Sequence, residues 1–271
     1  MASEGERWAE YFYPETFDAR LMQGTLRNRF GERDDDVLST LEHAAVVDRQ
    51  QELMSGEVQL PHTFDANHLQ SIHQHLFQDV YDWAGEYRTV PIFKGTPVGF
   101  ADVDSGQVDR YLDDVHRLVE AAPWDRLSRE DFGERAAEVF AYLNQAHPFR
   151  EGNGRTSKVF MEHVAELSSF TLDYDRVSPQ QWNEASKWSG PDLMAYEPHP
   201  GDLVPVFRTI AVDRDPVTPS AGSAPAPGRR ALRASFPSSA VDALRQPSPR
   251  APQARYNAPT NPDRSHETGR D

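Results

Sequence analysis

Residues 143–158 read LNQAHPFREGNGRTSK, and no other stretch of the chain is as informative about the fold. Pro148 disfavours helical geometry at the preceding His147, so a helix is expected to end there. Gly152 and Gly154 permit unusual backbone dihedrals and let the backbone approach a ligand closely. A glycine-bearing loop that enters a helix directs unpaired N–H groups and the positive end of the helix dipole outward. The stretch therefore predicts an anion site, best matched by phosphate, at the start of a helix.

The charged side chains of this stretch also suit a phosphate ligand. Arg155 and Lys158 are three residues apart and are predicted to share one helix face near the loop, Arg as a planar fork and Lys as a point charge. Glu151 precedes the glycines, and a carboxylate beside phosphates needs a bridging cation, usually Mg²⁺. Histidine titrates near neutrality, so His147 is a candidate general base. Each residue alone is commonly structural, but their occurrence together favours a functional site.

The chain on both sides of this stretch is predicted to be mostly helical. Apolar residues recur at helical spacing over residues 37–45, 69–80, 108–119, 132–143 and 159–167. Asp34 and Gly56 bracket the first of these helices, and Ser128 begins the fourth as a near capping box. Pro179 suits the first position of a further helix.

Residues 88–100, RTVPIFKGTPVGF, interrupt the helical pattern. The stretch is β-prone on both sides of a turn at Gly95 to Pro97, which predicts a short exposed hairpin. Pro91 restricts the first arm to an edge strand. Such an edge is either a connector or a surface that receives an extended peptide by strand addition.

Composition excludes several classes of protein. The chain has no cysteine, which excludes a disulfide framework, a thiol nucleophile and a thiolate zinc site. No stretch approaches about 18 consecutive apolar residues, and the N-terminus lacks the features of a Sec-type signal peptide. A formal charge of −15 argues against direct nucleic-acid binding. We therefore expect a cytoplasmic protein that uses no membrane.

The last 59 residues differ from the rest of the chain. Residues 213–271 contain ten of the 21 prolines, with nine Arg and no Lys against six Asp or Glu. Their net charge is +3. Because the whole chain has a net charge of −15, residues 1–212 have a net charge of −18. Such a segment cannot bury enough apolar surface to offset chain entropy, which predicts one domain over 1–212 and a disordered tail over 213–271. The tail is either a solvated tether or an Arg-bearing docking or export segment.

The pattern HPFxEGNGR at residues 147–155 resembles the signature of the Fic family, the filamentation-induced-by-cAMP domain proteins. The segment YPET at 13–16 is similar to the N-terminal start of bacterial Fic toxins. The segment LFQDVYDWAGEYR at 76–88 is similar to the helix that leads into their flap hairpin. The resemblance covers roughly residues 11–210, and the tail lies outside it.

The resemblance implies an all-α Fic fold, a helical bundle with a short β-hairpin flap at about 88–100. It implies transfer of AMP from ATP to a Tyr, Thr or Ser hydroxyl of a target protein, with release of pyrophosphate. His147 would be the catalytic base, Arg155 would assist, and Glu151 would hold Mg²⁺. The nucleotide site would comprise Asn144, Gly152, Asn153, Gly154, Arg155, Thr156, Ser157 and Lys158. The flap residues Ile92, Phe93, Lys94 and Gly95 would dock the target and cover the nucleotide, and Trp182 or its neighbours would line the adenine.

One departure from the family pattern concerns its last position. The family usually has a second Arg where this chain has Lys158, which keeps the charge but loses the bidentate fork. The departure either weakens binding of the γ-phosphate or changes the transferred group.

A second departure concerns control. The inhibitory Ser/Thr-x-x-x-Glu-Gly/Asn pattern of many Fic proteins is absent from the sequence. A toxin inhibited by a separate small antitoxin protein is therefore expected, and a diverged internal inhibitory helix is the alternative. The family suggests type II topoisomerases as targets.

Other functions remain open at this point. The related Doc toxins phosphorylate their target, but their loop replaces the first glycine, whereas this chain keeps Gly152 and Gly154. Transfer of UMP or phosphocholine is a further alternative, since the motif does not select the base or headgroup. A catalytically silent binding module is the last alternative, and the intact His147, Glu151 and Arg155 argue against it.

Overall fold

The computed structural model of the chain describes residues 2–93 and 99–214. Within these residues eight α-helices occur in the order α1 (Glu4–Ala9), α2 (Asp35–Ser55), α3 (Ala66–Phe77), α4 (Gln107–Ala121), α5 (Arg129–Ala146), α6 (Asn153–Ala165), α7 (Pro179–Trp188) and α8 (Val204–Ile210). Two single 3-10 turns cover Trp124–Arg126 and Tyr174–Arg176. The strands β1 (Phe170–Leu172) and β2 (Ala211–Asp213) pair antiparallel. The predicted mostly helical fold is confirmed.

The helix boundaries follow the capping residues of the sequence. The Asp34 carboxylate accepts the backbone N–H of Val37 at the start of α2, and Gly56 ends that helix with φ of 76°. Ser178 and Gln181 form a complete capping box at the start of α7. These contacts are local in sequence, which is why the boundaries could be predicted.

The core surrounds α5, which packs against α4, α6 and α8. Its apolar stripe, from Phe132 to Leu143, is buried. Trp182 of α7 belongs to this core, with its ring 4.9 Å from that of Phe140. On the other side of α6, α3 packs against both α6 and α2. The loop that joins α5 to α6 is therefore held between two helical layers.

The two-stranded sheet lies where no strand was predicted. Thr171 pairs with Val212, and the Arg214 N–H donates to the Ser169 carbonyl at 2.8 Å. The strands are three residues long, too short to show a clear period in the sequence. Pairing thus extends slightly past the predicted boundary at residue 212, and residues 215–271 of the predicted tail lie outside the described residues.

The predicted hairpin at 88–100 is only partly described. Neither arm forms a strand in the described residues, although the Phe100 N–H donates to the Ile92 carbonyl at 3.2 Å. Val90 and Ile92 are buried, whereas Phe93 is 61% exposed. The predicted exposure of the hairpin is therefore wrong for Val90 and Ile92, whose side chains join the packed interior, while Thr89 is exposed.

Across residues 2–93 and 99–214, none of the helices is both long enough and apolar enough to cross a lipid bilayer.

Candidate active site

The loop between α5 and α6 contains two backbone conformations of the left-handed region. His147 follows the last residue of α5 with φ of 39° and ψ of 56°. This conformation is costly for a residue with a side chain, so the surrounding contacts must impose it. Gly152 has φ of 81° and precedes α6 directly. The predicted helix end at His147 and the predicted helix start after Gly152 are both confirmed.

Asn153 closes this loop with its side chain. Its Oδ1 accepts the Phe149 N–H at 2.9 Å, and its Nδ2 donates to the Phe149 carbonyl at 2.7 Å. The buried Thr156 hydroxyl donates to the Gly152 carbonyl at 3.0 Å. Both side chains, predicted as nucleotide ligands, are thus engaged with the loop backbone, and Asn153 presents its own N–H at the helix start.

The two glycines of the loop have different surroundings. A Cβ on Gly152 would lie 2.3 Å from the Phe77 ring, so this position needs glycine for space as well as for its positive φ. A Cβ on Gly154 would meet nothing within 4 Å, and Gly154 is exposed. No side chain caps the start of α6, and an uncapped helix start leaves first-turn N–H groups available to a ligand. The uncapped start of α6 is compatible with the anion site predicted from the sequence, which stays a prediction.

Arg155 lies in a buried ionic cluster. It forms an ion pair with Glu42 of α2, and its Nη2 is 3.7 Å from Oε1 of Glu151. The Tyr81 hydroxyl donates to Glu42 as well. Burial, and then the neighbouring Glu42, raise the pKa of Glu151, while Arg155 opposes them. Sequence reasoning missed Glu42, because Glu42 is not among the apolar residues predicted as the buried stripe of α2, whereas the residues actually buried are Leu38, Glu42 and Val46.

Lys158 contacts a different part of the fold. Its ammonium lies 4.9 Å from the ring centroid of Tyr174 and 5.4 Å from that of Trp182. Burial lowers the pKa of Lys158 to about 7, and Asp175 partly opposes this shift. Arg155 reaches α2 and α3, whereas Lys158 reaches the second 3-10 turn and α7. The shared face predicted from their spacing is therefore wrong, since packing draws the two charged ends apart.

Arg88 joins the base of the flap to the loop. Its Nε donates to the His147 carbonyl at 2.8 Å, and its backbone N–H donates to the Pro148 carbonyl at 2.8 Å. Its other guanidinium nitrogens donate to the carbonyls of Val90 and Ala101. The side chain is buried, and burial lowers its pKa to about 10. The sequence offered no signal for this role beyond the position of Arg88 in the segment that resembles the family.

The His147 ring lies flat against the flap. Its centroid is 3.7 Å from that of Phe100, and the two planes differ by 5°. His147 is 5% exposed, so the flap base covers the predicted general base. Beside this stack lies a cavity of about 540 Å³, and its lining includes Phe93, Phe100, Gln145 and Tyr196.

The other predicted site residues are dispersed. The Asn144 Nδ2 donates to the Ser186 carbonyl at 2.9 Å and to Oγ of Ser189 at 3.2 Å, which ties α5 to the end of α7. Ser157 and Ile92 are buried, and Trp182 is a core residue that contributes no open adenine surface. Lys94 and Gly95 lie outside the described residues.

The Fic/DOC family model matches residues 63–165. The chain is 35% identical over 176 residues to the protein adenylyltransferase VbhT of Bartonella schoenbuchensis, covering 64% of this chain and 36% of that relative. It is 33% identical over 192 residues to the probable protein adenylyltransferase y4lH of Sinorhizobium fredii, covering 68% of this chain and 88% of that relative.

Its fold is similar to the crystal structure of the VirB-translocated effector protein BepC from Bartonella tribocorum, which contains bound AMPPNP. The TM-score is 0.63 at 26% identity, over 76% of this chain and 98% of that chain. The chain spans only 36% and 33% of the lengths of two Bartonella relatives. The match to the Sinorhizobium relative covers 88% of that relative, and the family model matches the residues around the motif loop. These two matches show that the chain belongs to the Fic/DOC family.

Proposed function

We propose that this chain is a protein adenylyltransferase, which transfers AMP from ATP to a hydroxyl side chain of a target protein. The observation that carries the proposal is the open start of α6 at Gly154, seven residues after His147, whose imidazole is the predicted general base. The names of the relatives and the AMPPNP in the BepC structure support it.

The phosphates of ATP would lie at the start of α6. The backbone N–H groups of residues 153–155 would donate to phosphate oxygens, and the helix dipole favours negative charge there. Gly154 leaves room for this approach because nothing lies within 4 Å of its missing side chain. Arg155 is close enough to the loop to add a charged contact once its pairing with Glu42 is shared with the nucleotide.

The residues of the site fit a Mg²⁺ ion that accompanies the nucleotide. Mg²⁺ prefers oxygen ligands and is usually held by one or two carboxylates together with substrate phosphates. Glu151 supplies a buried carboxylate, and its pKa is raised because burial, followed by the neighbouring Glu42, disfavours its charged form. When bound, Mg²⁺ would neutralise phosphate charge and orient the phosphates.

His147 would accept the proton of the target hydroxyl as its oxygen forms a bond to the α-phosphorus. The bond between the α-phosphorus and the bridging oxygen then breaks, and pyrophosphate leaves. The N–H groups at the start of α6 would stabilise the charge that develops on the phosphoryl oxygens. Arg88 and Phe100 hold the backbone and the ring plane of His147 for this step.

The target would dock on the flap, where the exposed Phe93 borders the cavity of about 540 Å³. Within the toxin–antitoxin proposal, a small antitoxin supplies the inhibitory helix, because the chain lacks that sequence pattern. Expression of the chain alone is then expected to arrest growth or to yield self-modified protein.

The test uses ATP labelled on the α-phosphate and, separately, on the γ-phosphate, incubated with the protein in bacterial lysate. AMP transfer predicts that proteins retain only the α label, and that His147→Ala abolishes retention while the protein stays folded. Retention of the γ label would instead indicate phosphorylation. Labelled UTP in a parallel reaction tests the choice of base. Absence of any retained label would contradict the proposal.

A further inference from the structure

His73 of α3 contacts the motif loop at two points. Its Nε2 lies 3.0 Å from the Glu151 carbonyl, and its ring centroid lies 3.8 Å from that of Phe149, with the planes 15° apart. The side chain is fully buried. One imidazole therefore touches the loop through a hydrogen bond and through a stacked face.

The hydrogen bonds of His73 define its tautomer. The Gly85 N–H donates to Nδ1 at 2.8 Å, so Nδ1 carries no proton. The proton is then on Nε2, which donates to the Glu151 carbonyl. Rotation of the ring would break both bonds and leave buried backbone groups unpaired, which is costly. The ring is thus held in one orientation between the segment before the flap and the motif loop.

The same face of α3 supports the next residue of the loop. Phe77 lies one helical turn after His73, and its ring fills the space where a side chain on Gly152 would lie. The Gly152 N–H in turn donates to Oε1 of Glu151 at 3.0 Å. The peptide that follows the Glu151 Cα is therefore held by α3 at two points, the carbonyl of residue 151 and the Cα of residue 152.

We propose that His73 is a positioning residue for the divalent-cation site, because it holds the backbone from which the Glu151 carboxylate projects. This inference rests on the proposed function, in which Glu151 holds the cation that accompanies ATP. His73 itself contacts neither the cation nor the nucleotide. Loss of its hydrogen bond to the Glu151 carbonyl frees the peptide to rotate and misplaces the carboxylate.

Two substitutions separate the two hydrogen bonds of the ring. In His73→Gln the amide nitrogen reaches the place of Nε2 and can still donate to the Glu151 carbonyl. In His73→Asn the shorter amide can still accept from Gly85 but no longer reaches the loop. His75→Asn is the matched control, since His75 lies on the same helix, is buried, and has its Nε2 3.1 Å from the Arg49 carbonyl and away from the motif.

The experiment measures Mn²⁺ binding in the presence of AMPPNP. The electron paramagnetic resonance signal of free Mn²⁺ reports how much of the ion is unbound. Loss of a residue that orients a metal ligand typically weakens metal affinity about tenfold or more, which is expected for His73→Asn. His73→Gln and His75→Asn should stay within about threefold of the wild type. The Mg²⁺ concentration for half-maximal AMP transfer should follow the same order.

Wild-type affinity in a folded His73→Asn protein, or an equal loss in His75→Asn, would overturn the proposal. If His73→Asn does not fold, His73→Gln decides alone: a folded variant with a loss of tenfold or more would refute the role of the Nε2 bond. Failure of the proposed function has another signature, in which the wild type and its variants bind Mn²⁺ in the expected order but transfer no AMP.

Discussion

Gly152 and Gly154 stand two residues apart, yet the fold uses them for different purposes. Gly152 has a positive φ and packs against Phe77, so its lack of a side chain serves the structure of the loop. Gly154 faces open space in the first turn of α6, so its lack of a side chain leaves room for the proposed ligand. At the residue scale, glycine thus has two roles in one motif: Gly152 is needed for the structure of the loop, and Gly154 leaves room for the proposed ligand.

This difference predicts opposite results for two alanine substitutions. Gly152→Ala should lower the free energy of unfolding by about 2 kcal/mol or more, since its methyl group meets the Phe77 ring and its φ is unfavourable. Gly154→Ala should leave stability unchanged or raise it by up to about 1 kcal/mol through better helix propensity. Gly154→Ala should nevertheless weaken AMPPNP binding. Urea unfolding and calorimetric titration measure the two effects, and equal destabilisation by both substitutions would contradict this assignment.

Lys158 replaces the arginine usual at this position with a side chain that can lose its charge. Because burial lowers its pKa to about 7, the ammonium is charged below that pH and largely neutral above it. If the phosphate contact predicted for Lys158 from the sequence forms when the nucleotide binds, AMPPNP affinity should fall several-fold as the pH rises from about 6 to about 8.5. The Lys158→Arg variant keeps its charge over this pH range, so its affinity for AMPPNP should change less. Calorimetric titration of both proteins measures this difference. An identical pH dependence in both proteins would show that residue 158 does not contact the phosphates.

At the element scale, α3 contacts α6 through a pair of buried histidines, at the end of their interface far from the motif loop. The Phe64 N–H donates to Nδ1 of His68 at 3.2 Å, so Nε2 of His68 donates to Nδ1 of His163 at 2.9 Å. The His62 ring stacks on His163 with centroids 3.9 Å apart. One ring nitrogen from each of the three histidines lies within 4.8 Å of the others, but the lone pairs on Nδ1 of His68 and on Nδ1 of His163 already accept hydrogen bonds. The contact is thus a neutral hydrogen-bonded pair and not a metal centre.

This pair makes stability depend on pH. Burial, followed by the charge of His62, lowers the pKa of His68 to about 4 and that of His163 to about 3, and Asp65 slightly opposes the shift at His68. The unfolded chain binds these protons near the ordinary pKa, so the stabilisation is present above about 6.5 and is lost as the pH falls through the folded values.

The free energy of unfolding should therefore fall below pH about 6.5, by up to about 1.4 kcal/mol per pH unit for each histidine. The double variant His68→Leu/His163→Leu removes both groups and should show a shallower slope, whatever its stability at neutral pH. Urea unfolding at several pH values provides the slope. Since Glu166 lies 3.5 Å from His62, the variant Glu166→Gln serves as a control for that exposed pair. Equal slopes in the wild type and the double variant would exclude the pair as the source.

At the scale of the whole molecule, the described chain ends where its last strand pairs. Arg214 donates through Nη2 to the carbonyls of Ala165 and Phe170, after β2 has paired with β1. These bonds connect the end of α8 to the end of α6. The contacts that hold the end of the described chain, the pairing of β2 with β1 and the hydrogen bonds of Arg214, thus lie within residues 2–93 and 99–214.

This closure predicts where the chain tolerates truncation. A chain that ends after Arg214 should keep the unfolding midpoint of the full chain, because the contacts of β2 and Arg214 are retained. A chain that ends after Ile210 loses β2 and should unfold at a lower temperature. Thermal unfolding followed by circular dichroism compares the three proteins. A large loss of stability in the chain that ends after Arg214 would show that residues 215–271 contribute to the fold.

Local patterns in the sequence determined the helical architecture and the loop at which the anion site is predicted. The end of α5 at His147 and the start of α6 after Gly152 follow from neighbouring proline and glycine residues, which act within a few residues of themselves. The start of α5 follows from Ser128, whose Oγ accepts the Asp131 N–H. Such signals are short-range, so they can be recognised without the fold. The helices α1 and α8 and the two strands were missed because they are too short to show a period.

Only the tertiary structure decided what surrounds the loop. His73 lies 78 residues from Glu151, and Arg88 lies 59 residues from His147, yet each pair shares a hydrogen bond. The same holds for Glu42 and Arg155, and for the different directions taken by Arg155 and Lys158. A buried polar group must find a partner, but the sequence does not state which distant backbone or carboxylate supplies it. That choice depends on how the helices pack, which is a property of the whole chain.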